Sequence, residues 1–366
     1  MLPQLVIYLP LVSLTFLSAL VLVALLTPRV ERLARRIGAL QVGGGRRVHM
    51  GAVPNIGGLA IFGGFMLALL VGSLVRPDLL GAYRTELLAI ALGAALMTLV
   101  GLFDDLWEVP AGTRLACQCV AAGILVVNGV RVDFITNYFA NYLGGSAYQF
   151  FGPPLAAVIT LLWVVGFTNA FNFIDGLDGL SAGLATISSL ALLAVAVQLP
   201  ERGVAVLLLA AIAGSALGFL RHNYNPAKVI MGDSGAYLLG FVLAAVSVLG
   251  SLKVTAALTV AAPVLILALP VVNITQVTLR RLSRRVSPAE AANDHLHDII
   301  RVRSGSPRLT VLLLWAAALL LGACGMTLSR TPPPLIYLTV LGTALLLGGV
   351  SFLRAREVGR EQPGPT

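Results

Sequence analysis

Apolar runs separated by short polar stretches recur along the whole of this chain. A run of about 20 apolar residues is enough to cross a hydrocarbon core of roughly 30 Å. Eleven such spans are expected, over 4–27, 56–75, 86–103, 114–129, 153–170, 179–198, 203–220, 234–251, 254–277, 308–328 and 334–352. The pattern predicts an all-α polytopic membrane protein, one integral-membrane domain over 1–366 with no internal repeat and no second soluble domain. Pro263 and Pro270 are expected to kink the ninth span. The first run is too long for a signal-peptide core and lacks a basic leader, so it is read as a retained span.

Composition agrees with the pattern. The 366 residues are 58% hydrophobic and 11% charged, with a mean hydropathy of +0.92, whereas soluble domains carry about 25% charge. The net charge is +9, and Lys228 and Lys253 are the only lysines. These bases lie in short loops, where they orient spans and meet anionic lipid or phosphate, so no nucleic-acid partner is expected. If the spans alternate, the loops 28–55, 104–113, 171–178, 221–233 and 278–307 and the C-terminal tail share one side. That side holds about 19 of the 25 Arg and Lys, which makes it cytoplasmic and puts the N-terminus outside. Cys117, Cys119 and Cys324 fall in apolar runs and are read as small core residues.

The remaining polar residues change the picture. All four histidines, His49, His222, His295 and His297, fall on the cytoplasmic side, together with Asp104, Asp105, Glu108, Asp175, Asp178, Asp233, Asp294 and Asp298. Acids have little effect on topology. Acids and bases gathered on one membrane face point to a site for a metal and a phosphorylated ligand.

The stretch Asn169–Gly183, NAFNFIDGLDGLSAG, carries Asn169, Asn172, Asp175 and Asp178 at the edge of a span. A helix there would put the two aspartates on one face, and the same residues also serve as turn formers. Asp104 and Asp105 end span three, where adjacent carboxylates repel each other and oppose the helix dipole unless a cation neutralises them. Asp233 opens span eight, as a cap or as a hard oxygen ligand that would complete a Mg²⁺ site with Asp104 or Asp105. Arg46, Arg47 and His49 precede Gly57 and Gly58, which permit close backbone approach. Ser287-Pro288-Ala289-Glu290 reads as a capping box opening a helix that runs to about Arg303. On that helix Asp294, His297, Asp298 and Arg301 share a face and His295 points elsewhere; the His pair lacks the further ligands of a zinc site and suits a diphosphate better.

The segments GLFDDLWEVPAGTRLACQ, NAFNFIDGLDGLSAG, NYNPAKVIMGDSGAYLLG and DHLHD, in this order, closely resemble the polyprenyl-phosphate N-acetylhexosamine-1-phosphate transferases. Their superfamily also contains the phospho-MurNAc-pentapeptide translocase. The resemblance covers about residues 46 to 303, and the His-containing loop is similar to the branch using UDP-GlcNAc or a close relative. It implies a multi-pass enzyme of the plasma (inner) membrane whose active site faces the cytoplasm. The implied reaction passes a sugar-1-phosphate from a UDP-sugar to undecaprenyl phosphate and releases UMP, with Mg²⁺ (Mn²⁺ substituting) as cofactor. It is a first membrane step of envelope glycan synthesis, and a homodimer is compatible with it. By resemblance, Asp104, Asp105 and Asp233 are catalytic, with Asp233 and Asp105 as metal ligands. Arg47, His49, Asn172, Asp175, Asp178, Asn223, His295, His297 and Arg301 are then substrate-binding. Three positions depart from the pattern: Arg114 replaces a lysine, Asp298 a histidine and Asn273 an aspartate.

Other donors, UDP-MurNAc-pentapeptide or a modified UDP-N-acetylhexosamine, would use the same chemistry. Two different functions compete. An aromatic-acceptor prenyltransferase would need two aspartate-rich motifs, and only Asp104–Glu108 approaches one. An ion-coupled transporter would place its acids mid-span in broken helices related by a repeat.

Overall fold

The computed structural model describes residues 2–42, 52–136, 148–199, 202–249, 261–283 and 295–361. In chain order these residues form α1 (Leu2–Ile37), β1 (Leu40–Val42), β2 (Ala52–Pro54), α2 (Gly58–Val75), α3 (Pro77–Ala82), α4 (Arg84–Trp107) and α5 (Ala111–Val127). Then follow β3 (Phe134–Thr136), β4 (Tyr148–Phe150), α6 (Pro153–Ile174), α7 (Leu180–Ala196), α8 (Gly203–Asn223) and α9 (Gly232–Val248). The chain closes with α10 (Ala261–Ile266), α11 (Ala268–Ser283), α12 (Leu296–Ser304), α13 (Pro307–Leu328) and α14 (Pro333–Glu361).

Among the described residues seven helices, α1, α2, α4, α6, α8, α13 and α14, are long and apolar enough to cross a membrane. The helices α5, α7 and α9 are apolar and have 17 residues each. This is a polytopic helical membrane protein. Among the described residues the few strands form two antiparallel pairs, β1 with β2 and β3 with β4, which the all-α expectation did not include.

At the centre stands α8. From Gly203 to Leu220 its sequence is apolar on every side, and such a helix has no polar face to turn outward; it is buried throughout that stretch. Gly214 and Gly218, four residues apart, let it approach α1 closely. A methyl at either would strike the backbone oxygen of Phe16 or Leu20, the small-residue packing by which helices associate in lipid. By contrast α14 and the N-terminal half of α1 are largely exposed, as at Leu9, Leu17, Leu338 and Leu345.

Two proline positions show how the fold supplies what a proline removes. The first helix is longer than the span expected over 4–27: α1 continues through Pro28 to Ile37 and carries Arg29, Arg32, Arg35 and Arg36 on helical backbone. A proline cannot bond the carbonyl four residues back, and here the His222 ring donates to that carbonyl, Ala24 O, at 3.1 Å. In the ninth span the expected kink is present as a break at Leu267 between α10 and α11. Pro270 leaves the Ile266 carbonyl free, and Ser188 Oγ donates to it at 3.3 Å.

Candidate active site at one end of the bundle

Successive helices run back and forth, so the C-terminal ends of α4, α6 and α8 and the N-terminal ends of α5, α7 and α9 meet at one end. The turn Glu108–Pro110 between α4 and α5 is tight: Glu108 is left-handed, with φ 53°. Asp104 holds that turn through Oδ1, which accepts from the Val109 N–H at 2.8 Å. Its Oδ2 accepts from Arg114 Nη1 at 2.5 Å, the first turn of α5. Arg114 Nη1 also lies 3.9 Å from Asp233 Oδ2 and donates to Tyr237 Oη at 3.4 Å.

Asp105 resolves the problem of adjacent acids at a helix C-terminus by facing the positive end of another helix. Its carboxylate accepts from the backbone N–H of Asp233 at 2.8 Å and of Ser234 at 3.1 Å, and so caps α9 from outside. The cap is therefore not Asp233 itself, whose Oδ1 accepts from Asn172 Nδ2 at 2.7 Å. Close backbone approach makes this possible. Gly232 has φ +71°, and a methyl there would strike Asn55 O and the Asp105 carboxylate. Methyls at Gly58 and Gly101 would strike the Asp233–Gly235 backbone from two sides. The paired glycines ahead of α2 thus admit a neighbouring helix. One turn below Arg114, Gln118 and Asn169 exchange amide hydrogen bonds at 2.6 and 3.3 Å and tie α5 to α6.

A second cluster surrounds the turn between α6 and α7. Residues 175–179 are not helical, so Asp175 and Asp178 are placed by a turn rather than by a helix face. Asp178 Oδ2 accepts from Asn225 Nδ2 at 3.1 Å and from the Ala227 N–H at 3.0 Å. Asn223 spans the turn and the next loop: Oδ1 accepts from the Gly179 N–H at 2.9 Å and Nδ2 donates to Val229 O at 3.0 Å.

The histidine-bearing helix docks on this turn. It begins at Leu296 rather than near residue 288, because His295 is extended, with ψ 156°, and stands at the N-cap; the expected capping box and Asp294 lie outside the described residues. His295 therefore does not point away. In extended backbone residues i and i+2 share a side, and the His295 and His297 rings stack with centroids 5.3 Å apart and planes 5° apart. His295 also meets Phe173 edge-on, and the His297 ring lies where a methyl on Gly176 would be. Asp298 lies 3.7 Å from His297 Nε2 and 3.6 Å from Arg301 Nη2. Asn273 Oδ1 accepts from the Leu296 N–H at 2.8 Å, a contact an aspartate would make equally.

Asp104 and Asp233 thus share Arg114, with Asn172 bonded to Asp233 and Asp105 to the start of α9, and Asp175, Asp178, Asn223, His295, His297 and Arg301 lie around the adjoining turn. Arg47 and His49 lie outside the described residues, in the segment joining β1 to β2. Tyr237, one turn after Asp233 on α9, completes the first cluster without having been singled out; its i+4 spacing from Asp233 was the available signal.

Known proteins are similar to this chain over most of its length. The glycosyl transferase family 4 model matches residues 87–251, which include both aspartate pairs and Asp233. A Bacillus subtilis (strain 168) protein, named a probable undecaprenyl-phosphate N-acetylglucosaminyl 1-phosphate transferase, is 33% identical over 82% of this chain and 80% of its own length. The decaprenyl-phosphate N-acetylglucosaminephosphotransferase of Mycolicibacterium smegmatis is 32% identical over 96% of this chain and 91% of its own. An undecaprenyl-phosphate alpha-N-acetylglucosaminyl 1-phosphate transferase of Yersinia pestis is 28% identical over 90% of this chain and 88% of its own. Similarity of this extent, shared with several such transferases and running through every polar cluster described above, means that the chain belongs to glycosyl transferase family 4.

Proposed function

We propose that the protein transfers GlcNAc-1-phosphate from UDP-GlcNAc to undecaprenyl phosphate, releasing UMP. The observation that carries this reading is the carboxylate cluster in which Asp104 and Asp233 share one guanidinium and Asp105 meets the start of the Asp233 helix, at the same end of the bundle as the His295–His297 pair. The names of the relatives support N-acetylglucosamine 1-phosphate as the transferred group and a polyprenyl phosphate as the acceptor, undecaprenyl phosphate in two of the three.

In this reaction an oxygen of the lipid phosphate attacks the sugar-linked phosphorus. The bond from that phosphorus to the bridging oxygen breaks, and UMP leaves with the electron pair. A phosphomonoester loses its second proton near pH 6, so the lipid phosphate is largely dianionic at neutral pH. Asp104 is accordingly assigned mainly to holding Arg114, whose guanidinium clamps phosphate oxygens. Asp175, Asp178, Asn172, His295, His297 and Arg301 are assigned to the UDP-sugar, together with Arg47 and His49.

A divalent cation fits these residues. Two carboxylates share one guanidinium with a third, Asp105, bonded to the backbone of Asp233, and the Asp233 side chain is 33% exposed against 6% for Asp104. Among the described residues no three His, Cys, Asp or Glu form a closed metal cage. That suits Mg²⁺, which uses one or two carboxylates and keeps its other positions for phosphate oxygens and water. Asp233 and Asp105 would hold it, and when bound it supplies charge neutralisation for the diphosphate.

The finer topology belongs to the same reading: eleven spans, the N-terminus outside, and the site facing the cytoplasm at the plasma (inner) membrane. The excess of Arg at the site end supports it. The test offers purified protein UDP-GlcNAc, UDP-GalNAc or UDP-MurNAc-pentapeptide, each with undecaprenyl phosphate and Mg²⁺, and follows UMP. Release with UDP-GlcNAc is expected. Release with another donor alone would move the sugar assignment, and release with none would overturn the reaction.

A further inference from the structure

Asp178 owes its position to the segment between α8 and α9, through Asn225 and Ala227. That segment is gripped from its other side by the end of α14. Arg354 Nη2 donates to Pro226 O at 2.9 Å, and Arg354 is only 3% exposed although its helix is otherwise mostly open to the surroundings. One turn on, Glu357 accepts from Arg354 Nη1 and from Arg221 Nη2, each at 3.3 Å, with Lys228 Nζ at 4.0 Å. Arg308, at the start of α13, donates to Asn225 Oδ1 at 3.2 Å.

An arginine that only anchors a span end extends its head into water. Arg356, two residues further on, behaves in that way: it is exposed and lies over the Phe352 ring, 5.0 Å from its centroid. Arg354 instead gives up its hydration, which is unfavourable unless partners replace the water. Its partners are a loop carbonyl and a carboxylate that binds the same loop. The path from α14 to the site is therefore short: Arg354 to Pro226, the adjacent Ala227 N–H to Asp178.

We propose that Arg354, locked by Glu357, is a positioning residue of the donor site: it holds the segment 224–228 so that Asp178 is presented to the nucleotide in a pre-formed turn. This rests on the reading that Asp178 faces the UDP-sugar. The carboxylates of the cluster stand on α4 and α9 and are held by Arg114, Asn172 and the start of α9, so the effect is expected on the donor rather than on the lipid or the chemical step.

The test uses the full-length protein with undecaprenyl phosphate, Mg²⁺ and UDP-GlcNAc, and varies donor and lipid separately. Arg354→Met is expected to raise the donor KM about tenfold, as loss of a buried charge-assisted hydrogen bond does, with kcat and the lipid KM nearly unchanged. UMP should also protect this variant from thermal unfolding less than it protects the wild type. Arg354→Lys restores one donor to Pro226 O and should recover part of the loss. Arg356→Ala removes the same charge and should leave all constants unchanged. A fall in kcat alone, an equal change in both KM values, or Arg356→Ala matching Arg354→Met would overturn the proposal. No UMP release by the wild type from any UDP-sugar would instead overturn the functional reading beneath it.

Discussion

At one end of the bundle Arg76 pairs with Asp78 at 2.7 Å and Arg131 with Asp133 at 2.6 Å, partners two residues apart in the chain. At the other end Asp105 and Asp233 meet across 128 residues, and Asp104 and Asp233 share Arg114. The first pairs need no fold to form and leave no charge over. The second group exists only because α4, α5, α6 and α9 converge, and among the described residues it has fewer cations than acids. Charge that is locally balanced serves the loop that carries it. Charge that the fold collects and leaves unbalanced is where the proposed reading puts a cation and a diphosphate.

The largest effect that could break this contrast is at Asp233. Asp233→Asn keeps an acceptor for Asn172 but removes the charge, and UMP release is expected to fall by at least about 10³-fold in a protein that retains its helical content by circular dichroism. Next, Arg114→Met should lower kcat by about 10²-fold, and Arg114→Lys should remain within about tenfold of wild type, since an ammonium keeps the charge but not the fork. A wild-type rate in Arg114→Met would show that its pairing with Asp104 is only structural.

Asp105→Ala tests the cap. It removes the acceptor of two N–H groups at the start of α9, at a cost of about 1–3 kcal/mol, and should lower the thermal midpoint in detergent as well as the activity; Asp105→Asn, which still accepts, should be less destabilised. The smallest effects are expected at the opposite end. Arg76→Ala and Asp78→Asn should leave activity unchanged and stability within about 0.5 kcal/mol. The Asp78 side chain is 59% exposed, and its hydrogen bonds to Arg76 hold the carboxyl below its usual range. The modest stabilisation is then present above the ordinary Asp pKa and is lost as pH falls through the lowered one. A large loss of activity in either variant would undo the contrast between the ends.

Much of this was legible because span length is written in run lengths and the grouping of span ends in their alternation along the chain. The acids at span ends could be grouped by parity alone, without knowing a single contact. What escaped reading depended on distant partners. The continuation of α1 through Pro28 draws on His222, which takes the Ala24 carbonyl from 198 residues away. Asp105 looks like a repelled neighbour of Asp104 until α9 supplies two backbone donors. Arg354 reads as one more anchoring base because the Pro226 carbonyl it binds lies 128 residues earlier. His295 was turned the wrong way by extending a helix through its extended N-cap.

The central claim is that the unbalanced carboxylates hold a divalent cation for diphosphate transfer. Its most direct test is UMP release from UDP-GlcNAc and undecaprenyl phosphate as Mg²⁺ is titrated into chelator-treated protein, wild type beside Asp233→Asn. The account predicts saturable, Mg²⁺-restored release by the wild type and almost none by the variant at any Mg²⁺ concentration. Release that persists without divalent cation, or a variant that responds to Mg²⁺ like the wild type, would contradict it.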